Sequence, residues 1–222
     1  MPDKTIIFED KSVLVVSKPR GLLTVAAKDK KKQKNLLDEL KGKYEAERVR
    51  LRPVNRIDRD TSGLVIFAKT KEAFMAIMQK QRLDKIEKTY LAIVTGILKK
   101  KEGNIKIPLP SRENPKVKIP AKTTYQVLRE FRIVKASLIE ARITSGKYHQ
   151  IRKHFRILDH ALLMDRDYME RNEYVKYQKI VPFRHFFLHS AEMDFTHPIT
   201  GKKMHFRAEL PEEFAEILKI LK

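Results

Sequence analysis

The chain has 222 residues, 42% of them apolar, which suits one domain, or one domain with two lobes, around a substantial core. Its 48 Lys and Arg against 28 Asp and Glu give a formal charge of +20, a surface that attracts polyanions: nucleic acid first, an anionic membrane second. The absence of cysteine excludes disulfides, thiolate metal sites and cysteine nucleophiles, and the lack of any apolar run of about 18 residues excludes a helical span.

Met1-Pro2-Asp3-Lys4 lacks the basic-then-apolar pattern of a signal peptide, so the expected compartment is the cytoplasm. Ile6 to Ser12 reads as a strand and turn. Val13 to Ser17 reads as a buried strand, stopped by Lys18-Pro19-Arg20-Gly21, where proline removes a ladder donor and glycine permits a left-handed turn. Residues 28–34 carry five lysines with one Asp and one Gln, which suits a solvated insertion or one that touches RNA. Leu36 to Leu40 starts an amphipathic helix with Asn35 as N-cap. Leu64-Val65-Ile66-Phe67-Ala68-Lys69 reads as a buried strand: short, β-branched and aromatic, and bounded by turn residues. Thr70 then caps a helix with Phe74, Ile77 and Met78 on one face.

Thr89 to Thr95 forms the next strand, ended by Gly96. From Lys99 to Lys122 the chain is basic and rich in proline, which predicts a loop with at most a short strand around Ile105 to Ile107. Two strands follow, Thr123 to Arg129 and Ser137 to Thr144, and Lys147 to Leu158 reads as a helix. Residues 159–184 read as irregular. Phe186 to Phe195 and Lys202 to Leu210 read as paired strands around the turn His197 to Gly201, and Pro211-Glu212-Glu213 opens a last helix.

Three constellations carry chemistry. In Asn55-Arg56-Ile57-Asp58-Arg59-Asp60-Thr61-Ser62-Gly63 a carboxylate sits between two arginines, just before a buried strand, where nearby cations favour its ionised form. The spacing copies the opening of a calcium-binding loop, but the twelfth position is Lys69 in place of a bidentate Glu, which rejects calcium. Spacing alone leaves two roles for Asp58: a turn cap paired with Arg56 or Arg59, or a nucleophile. In Gly146 to Arg156, a helix would place Arg152 one turn from His149 and Arg156, with Ile151, Phe155 and Leu158 facing the core. That stripe either faces phosphates or points Arg152 inward at a buried carboxylate, as arginine does better than lysine. His149 and His154 are five apart, about 140° around the axis, and do not make a ligand pair. In Lys88-Thr89-Tyr90-Leu91-Ala92, Tyr90 is either a core tyrosine or a ring that stacks on an extruded base. His185 and His189 fall in a strand-like run, and His189 reads as structural.

Read together, these segments resemble the RluA-type pseudouridine synthase family along nearly the whole chain. Lys18-Pro19-Arg20-Gly21-Leu22 is similar to its first motif, and Arg56 to Leu64 to its nucleophile motif. Lys88 to Ala92 is similar to the motif with the active-site tyrosine, Ser145 to His154 to the Gly-Arg-x-His-Gln-Ile-Arg element, and Leu188 to Pro198 to the C-terminal signature. Asn55 stands for the usual histidine, Lys147 for an arginine, and Met164-Asp165 for a common Gly-Asp pair.

The resemblance implies an α+β fold, a mixed and mostly antiparallel sheet flanked by helices with a central active-site cleft. It implies one catalytic domain over 1–222, with no N-terminal RNA-binding accessory module. The implied activity is isomerisation of uridine to pseudouridine in ribosomal or transfer RNA, with the base flipped into the cleft. Asp58 is then the nucleophile, Tyr90 stacks on the uracil, and Arg152 lies near Asp58, orienting it and keeping it ionised. Arg56, Arg59, Lys18, Lys147, His149 and Gln150 are expected to contact RNA. No metal or organic cofactor is implied, and the expected form is a cytoplasmic monomer. The alternatives are a non-catalytic RNA-binding or ribosome-assembly factor with the same fold, and a protein of anionic membranes.

Overall fold

The computed structural model describes residues 5–26, 33–81 and 86–221. The lysine-rich run of 28–34 falls largely outside them. The chain divides into two compact units, one formed by Met1–Lys88 with Ser190–Glu209 and the other by Thr89–His189 with Leu210–Lys222. The architecture is α+β, and the named ladders are antiparallel.

In the first unit, β2 (Val13–Lys18) lies between β1 (Ile6–Glu9) and β4 (Ser62–Ala68), and β4 also takes the short β3 (Arg52–Pro53) and neighbours β11 (Leu188–Thr196). β12 (Lys203–Arg207) closes against β11 after the turn at His197 to Gly201. All seven residues of β4 are buried, which is why its run Leu64 to Ala68 is apolar throughout and does not alternate. Val13 and Val15 of β2 with Leu64, Ile66 and Ala68 of β4 make one core with Met193, Phe195 and Phe206. Helix α1 (Leu36–Ala46) begins where Asn35 accepts the Asp38 amide at 3.0 Å, and it buries Leu36, Leu40 and Tyr44 at four-residue spacing.

Thr70 caps α2 (Lys71–Met75) through the Ala73 amide. That helix passes into a π-turn over Ala76–Gln81, which differs from the predicted single face. The wider turn shifts the register: Ile77 stays fully buried while Met78 is exposed.

In the second unit the strand order is β5 (Glu87–Thr95), β10 (Ala136–Ile143), β9 (Thr123–Phe131), β6 (Glu102–Ile105). β7 (Leu109–Pro110) and β8 (Lys118–Ile119) form a separate two-residue ladder, so the basic excursion is more ordered than predicted. Helix α3 (Gln150–Ile157) starts three residues later than predicted, because His149 adopts φ 55°, ψ 35° and breaks the helical run before it. Residues predicted as irregular contain α4 (Arg171–Gln178), and α5 (Glu212–Ile220) ends the chain. The core gathers Ile93, Leu163, Met164, Tyr177, Phe183, Phe187, Phe214 and Ile217, with Phe187 edge-on to Phe183 and Phe214 at 4.8 and 5.2 Å.

Candidate active site

The Asp58 loop connects β3 to β4 and is held from both sides. On the β4 side, Asn55 Oδ1 accepts the Ile66 amide at 2.8 Å while its Nδ2 donates to Leu64 O at 3.4 Å. Asparagine at this position therefore pins the loop to the strand. Gly63 at the start of β4 has φ 105°, and a Cβ there would fall 2.2 Å from the carbonyl oxygen of Ser190 in β11. Only glycine lets those two strands approach so closely.

On the other side stands the segment after β2. The Gly21 amide donates to Arg59 O at 2.8 Å, and Arg59 Nε donates back to Gly21 O at 3.0 Å. Thr24 Oγ1 bridges both backbone groups of Ile57, at 3.0 and 3.2 Å. Lys18 completes the clamp, and here the structure corrects the expectation of an RNA contact. Its ammonium is fully buried and donates to Pro19 O, Leu22 O and Arg59 O at 2.9, 2.7 and 3.1 Å. An RNA phosphate cannot reach it. Burial pulls its pKa down to about 7, against the opposing pull of the Asp58 and Asp60 carboxylates.

Within the loop, the turn closes from the Thr61 amide to the backbone carbonyl of Asp58, at 3.2 Å. The main-chain oxygen thus closes the turn. Asp58 is half-buried, and Arg56 and Arg59 are exposed. The clamp fixes the backbone that carries the half-buried Asp58.

In the second unit, Arg152 rises from the first turn of α3 and is 4% exposed. It meets a carboxylate outside the predicted site residues. Nε and Nη2 each lie 2.7 Å from an oxygen of Asp165, which is fully buried, and Nη2 also donates to Asp167 at 2.6 Å. The guanidinium carbon sits 4.8 Å from the ring centre of Tyr168 and 4.4 Å from that of Phe186. Such a two-point pairing between rings fixes both position and plane. Met164, just before Asp165, has φ 65°, in the left-handed region that favours glycine. The signal was legible in part: an inward arginine needs a buried acid, but a partner thirteen residues away is set by the fold.

His149 supports the same group. Its Nδ1 lies 2.9 Å from the Tyr168 hydroxyl and 3.1 Å from Arg152 Nη1, and its ring stacks on Tyr148. Burial, reinforced by the Arg152 charge, lowers its pKa to about 4, so the imidazole is neutral at ordinary pH. Burial likewise raises Tyr168 to about 12, keeping its hydroxyl a donor. Gln150, expected to contact RNA, is instead 3% exposed. Its Oε1 accepts from Ser145 Oγ and the Lys147 amide, and its Nε2 donates to Lys122 O and Thr123 Oγ1. With both ends of the amide satisfied internally, it is a strut between β9 and α3. His154 is held by Thr123 and Ile107 O. Lys147 is half-buried, and Tyr90, on β5, is 6% exposed.

A carboxylate on a clamped loop in one unit, an arginine locked in a fixed plane in the other and a formal charge of +20 are features that suit action on a polyanion. A sequence profile described as RNA pseudouridylate synthase matches residues 12–156. The chain is 33% identical to the ribosomal large subunit pseudouridine synthase D of Zymomonas mobilis, over 97% of this chain and 72% of that one. It is 31% identical to the dual-specificity RNA pseudouridine synthase RluA of Vibrio parahaemolyticus, over 89% and 79%. Its fold matches human RNA pseudouridylate synthase domain containing 4 with a TM-score of 0.79, at 21% identity, over 98% of this chain and 93% of that one. The chain belongs to the RNA pseudouridylate synthase family, and it is an isomerase that acts on RNA.

Proposed function

We propose that this protein converts uridine to pseudouridine in ribosomal or transfer RNA, with Asp58 as its nucleophile. The observation that carries the assignment is the Asp58 loop itself: Lys18, Gly21, Thr24 and Asn55 fix its backbone while the aspartate stays half-buried. The reaction breaks the C–N glycosidic bond, turns the uracil and forms a C–C bond to the same sugar. Its difficulty is that of glycoside cleavage, in which a carboxylate attacks or stabilises an electron-poor sugar carbon. A nucleophile of this kind works best on a backbone that does not have to be ordered when the substrate arrives.

Tyr90 is the group assigned to stack on the extruded uracil, and Arg152 the cation assigned to the same reaction, its plane set by Asp165. Arg56, Arg59 and Lys147 are the proposed phosphate contacts. Ribosomal RNA is favoured as substrate because the named relatives include synthases of the large ribosomal subunit. Action as a cytoplasmic monomer belongs to the same proposal.

The test is tritium release from RNA carrying 5-tritiated uridine. Asp58→Ala and Asp58→Asn are expected to abolish release while RNA binding persists. Turnover retained in either variant removes Asp58 from the role.

A further inference from the structure

Next to the Arg152 cage, the turn before α3 directs one aromatic ring outward. Tyr148 is 42% exposed, and its ring lies on the His149 imidazole with centroids 3.7 Å apart and planes 27° apart. Two cations from different segments stand over that ring. Arg112, in the basic stretch between β7 and β8, places its guanidinium carbon 5.0 Å from the ring centre. Lys153, in the first turn of α3, places its ammonium at 4.8 Å. If Tyr148 served only to buttress His149, the protein would have little reason to leave two-fifths of it in water and bring two cations to it. Exposed cation–π contacts contribute little by themselves.

Unpaired RNA has the matching chemistry. Its bases offer flat faces to aromatic rings, and its phosphates offer charge to the cations beside them. Extruding a uridine unstacks its neighbours, so a ring at the edge of the site can replace a lost stacking partner. The column is short: Tyr148 lies on His149, whose Nδ1 is 3.1 Å from Arg152 Nη1. We propose that Tyr148, Arg112 and Lys153 form a docking subsite for an unpaired nucleotide next to the target uridine, its base stacking on the Tyr148 ring and displacing the two cations from it onto the flanking phosphates. The subsite rests on the RNA-modifying reading above and adds to it a residue that selects unpaired context.

The experiment uses the full-length protein and a hairpin RNA whose loop holds one 5-tritiated uridine with 2-aminopurine beside it. Wild type and Tyr148→Phe are expected to bind alike and to quench the 2-aminopurine. Tyr148→Ala is expected to lose the quench and bind roughly five- to 150-fold more weakly, the range that stacking on an aromatic side chain contributes. Its KM rises by the same factor. Arg112→Gln and Lys153→Gln each lower the slope of log affinity against log salt by about 0.7. Unchanged quench and affinity in Tyr148→Ala overturn the subsite, as does a lower kcat with unchanged affinity, which would make the ring a buttress of His149. A wild type that binds and quenches but releases no tritium counts against the reaction assigned above, while the binding series still decides the subsite.

Discussion

The buried ammonium of Lys18 predicts a pH dependence of stability that can be worked from the structure. Its pKa falls from 10.5 to about 7 on folding, because burial disfavours the charged form. Between those two values the unfolded chain holds a proton that the native state gives up, so stability must rise with pH across the window and is flat below it. The displacement sets a ceiling of about 5 kcal/mol for the whole window, of which about 2 kcal/mol is recovered between about pH 7 and pH 9. Lys18→Met removes the ionisation and keeps the apolar stem. It also strips donors from Pro19 O and Leu22 O, whereas Arg59 O keeps the Gly21 amide. Losing donors to those two acceptors costs roughly 2–4 kcal/mol if both are shielded, which nearly offsets the gain at neutral pH.

The variant should therefore match wild type within about 2 kcal/mol near pH 7 and fall behind by about a further 2 kcal/mol near pH 9. Urea unfolding of both proteins at the two pH values measures this. Other titrating groups are common to both and cancel in the difference, and the raised tyrosines act only at higher pH. Parallel pH profiles for the two proteins would show that Lys18 is not held at a depressed pKa, and the account of the clamp would fall with it.

Two further changes probe the supports of the site. Gly63→Ala puts a methyl group 2.2 Å from Ser190 O at a φ of 105°, so β4 and β11 must separate; a loss of about 3 kcal/mol or more is expected in urea unfolding, and a loss under about 0.5 kcal/mol would mean the approach is not required. Asp165→Ala leaves the Arg152 guanidinium without its two-point partner in a buried setting, which should cost about 3–5 kcal/mol and lower kcat for tritium release. Restoring neutrality in the double variant Asp165→Ala, Arg152→Met should recover stability and not kcat; recovery of both would make the pair purely structural.

What was legible in the sequence was local. The uninterrupted apolar run of β4, the caps at Asn35 and Thr70 and the proline opening α5 each state their structure within a few residues. The signals that failed were those set by distant contacts. Helix α4 buries only Tyr177 among its eight residues, so no apolar stripe announces it. The start of α3 depends on a left-handed His149 that is held by Tyr148, Tyr168 and Arg152. Lys18 and Gln150 sit in motifs rich in basic residues and look like RNA contacts. Their partners are mostly main-chain groups, and main-chain groups leave no trace in sequence.

That last difference bears on how the protein is built for its chemistry. A lysine on a surface facing RNA would be neutralised by phosphate and would loosen when the substrate left. Turned inward onto Pro19 O, Leu22 O and Arg59 O, it holds the Asp58 loop whether or not RNA is bound. Arg152 follows the same rule by another route: Asp165 takes two of its donors permanently, so the guanidinium cannot rotate to follow a passing phosphate. The cations proposed to adapt to RNA, such as Arg56 and Arg112, are in exposed positions. Under the proposed function, fixed charges serve the reacting group and adaptable ones serve the polymer, a division that would let an enzyme hold a long, variable substrate without disturbing the geometry of one carboxylate.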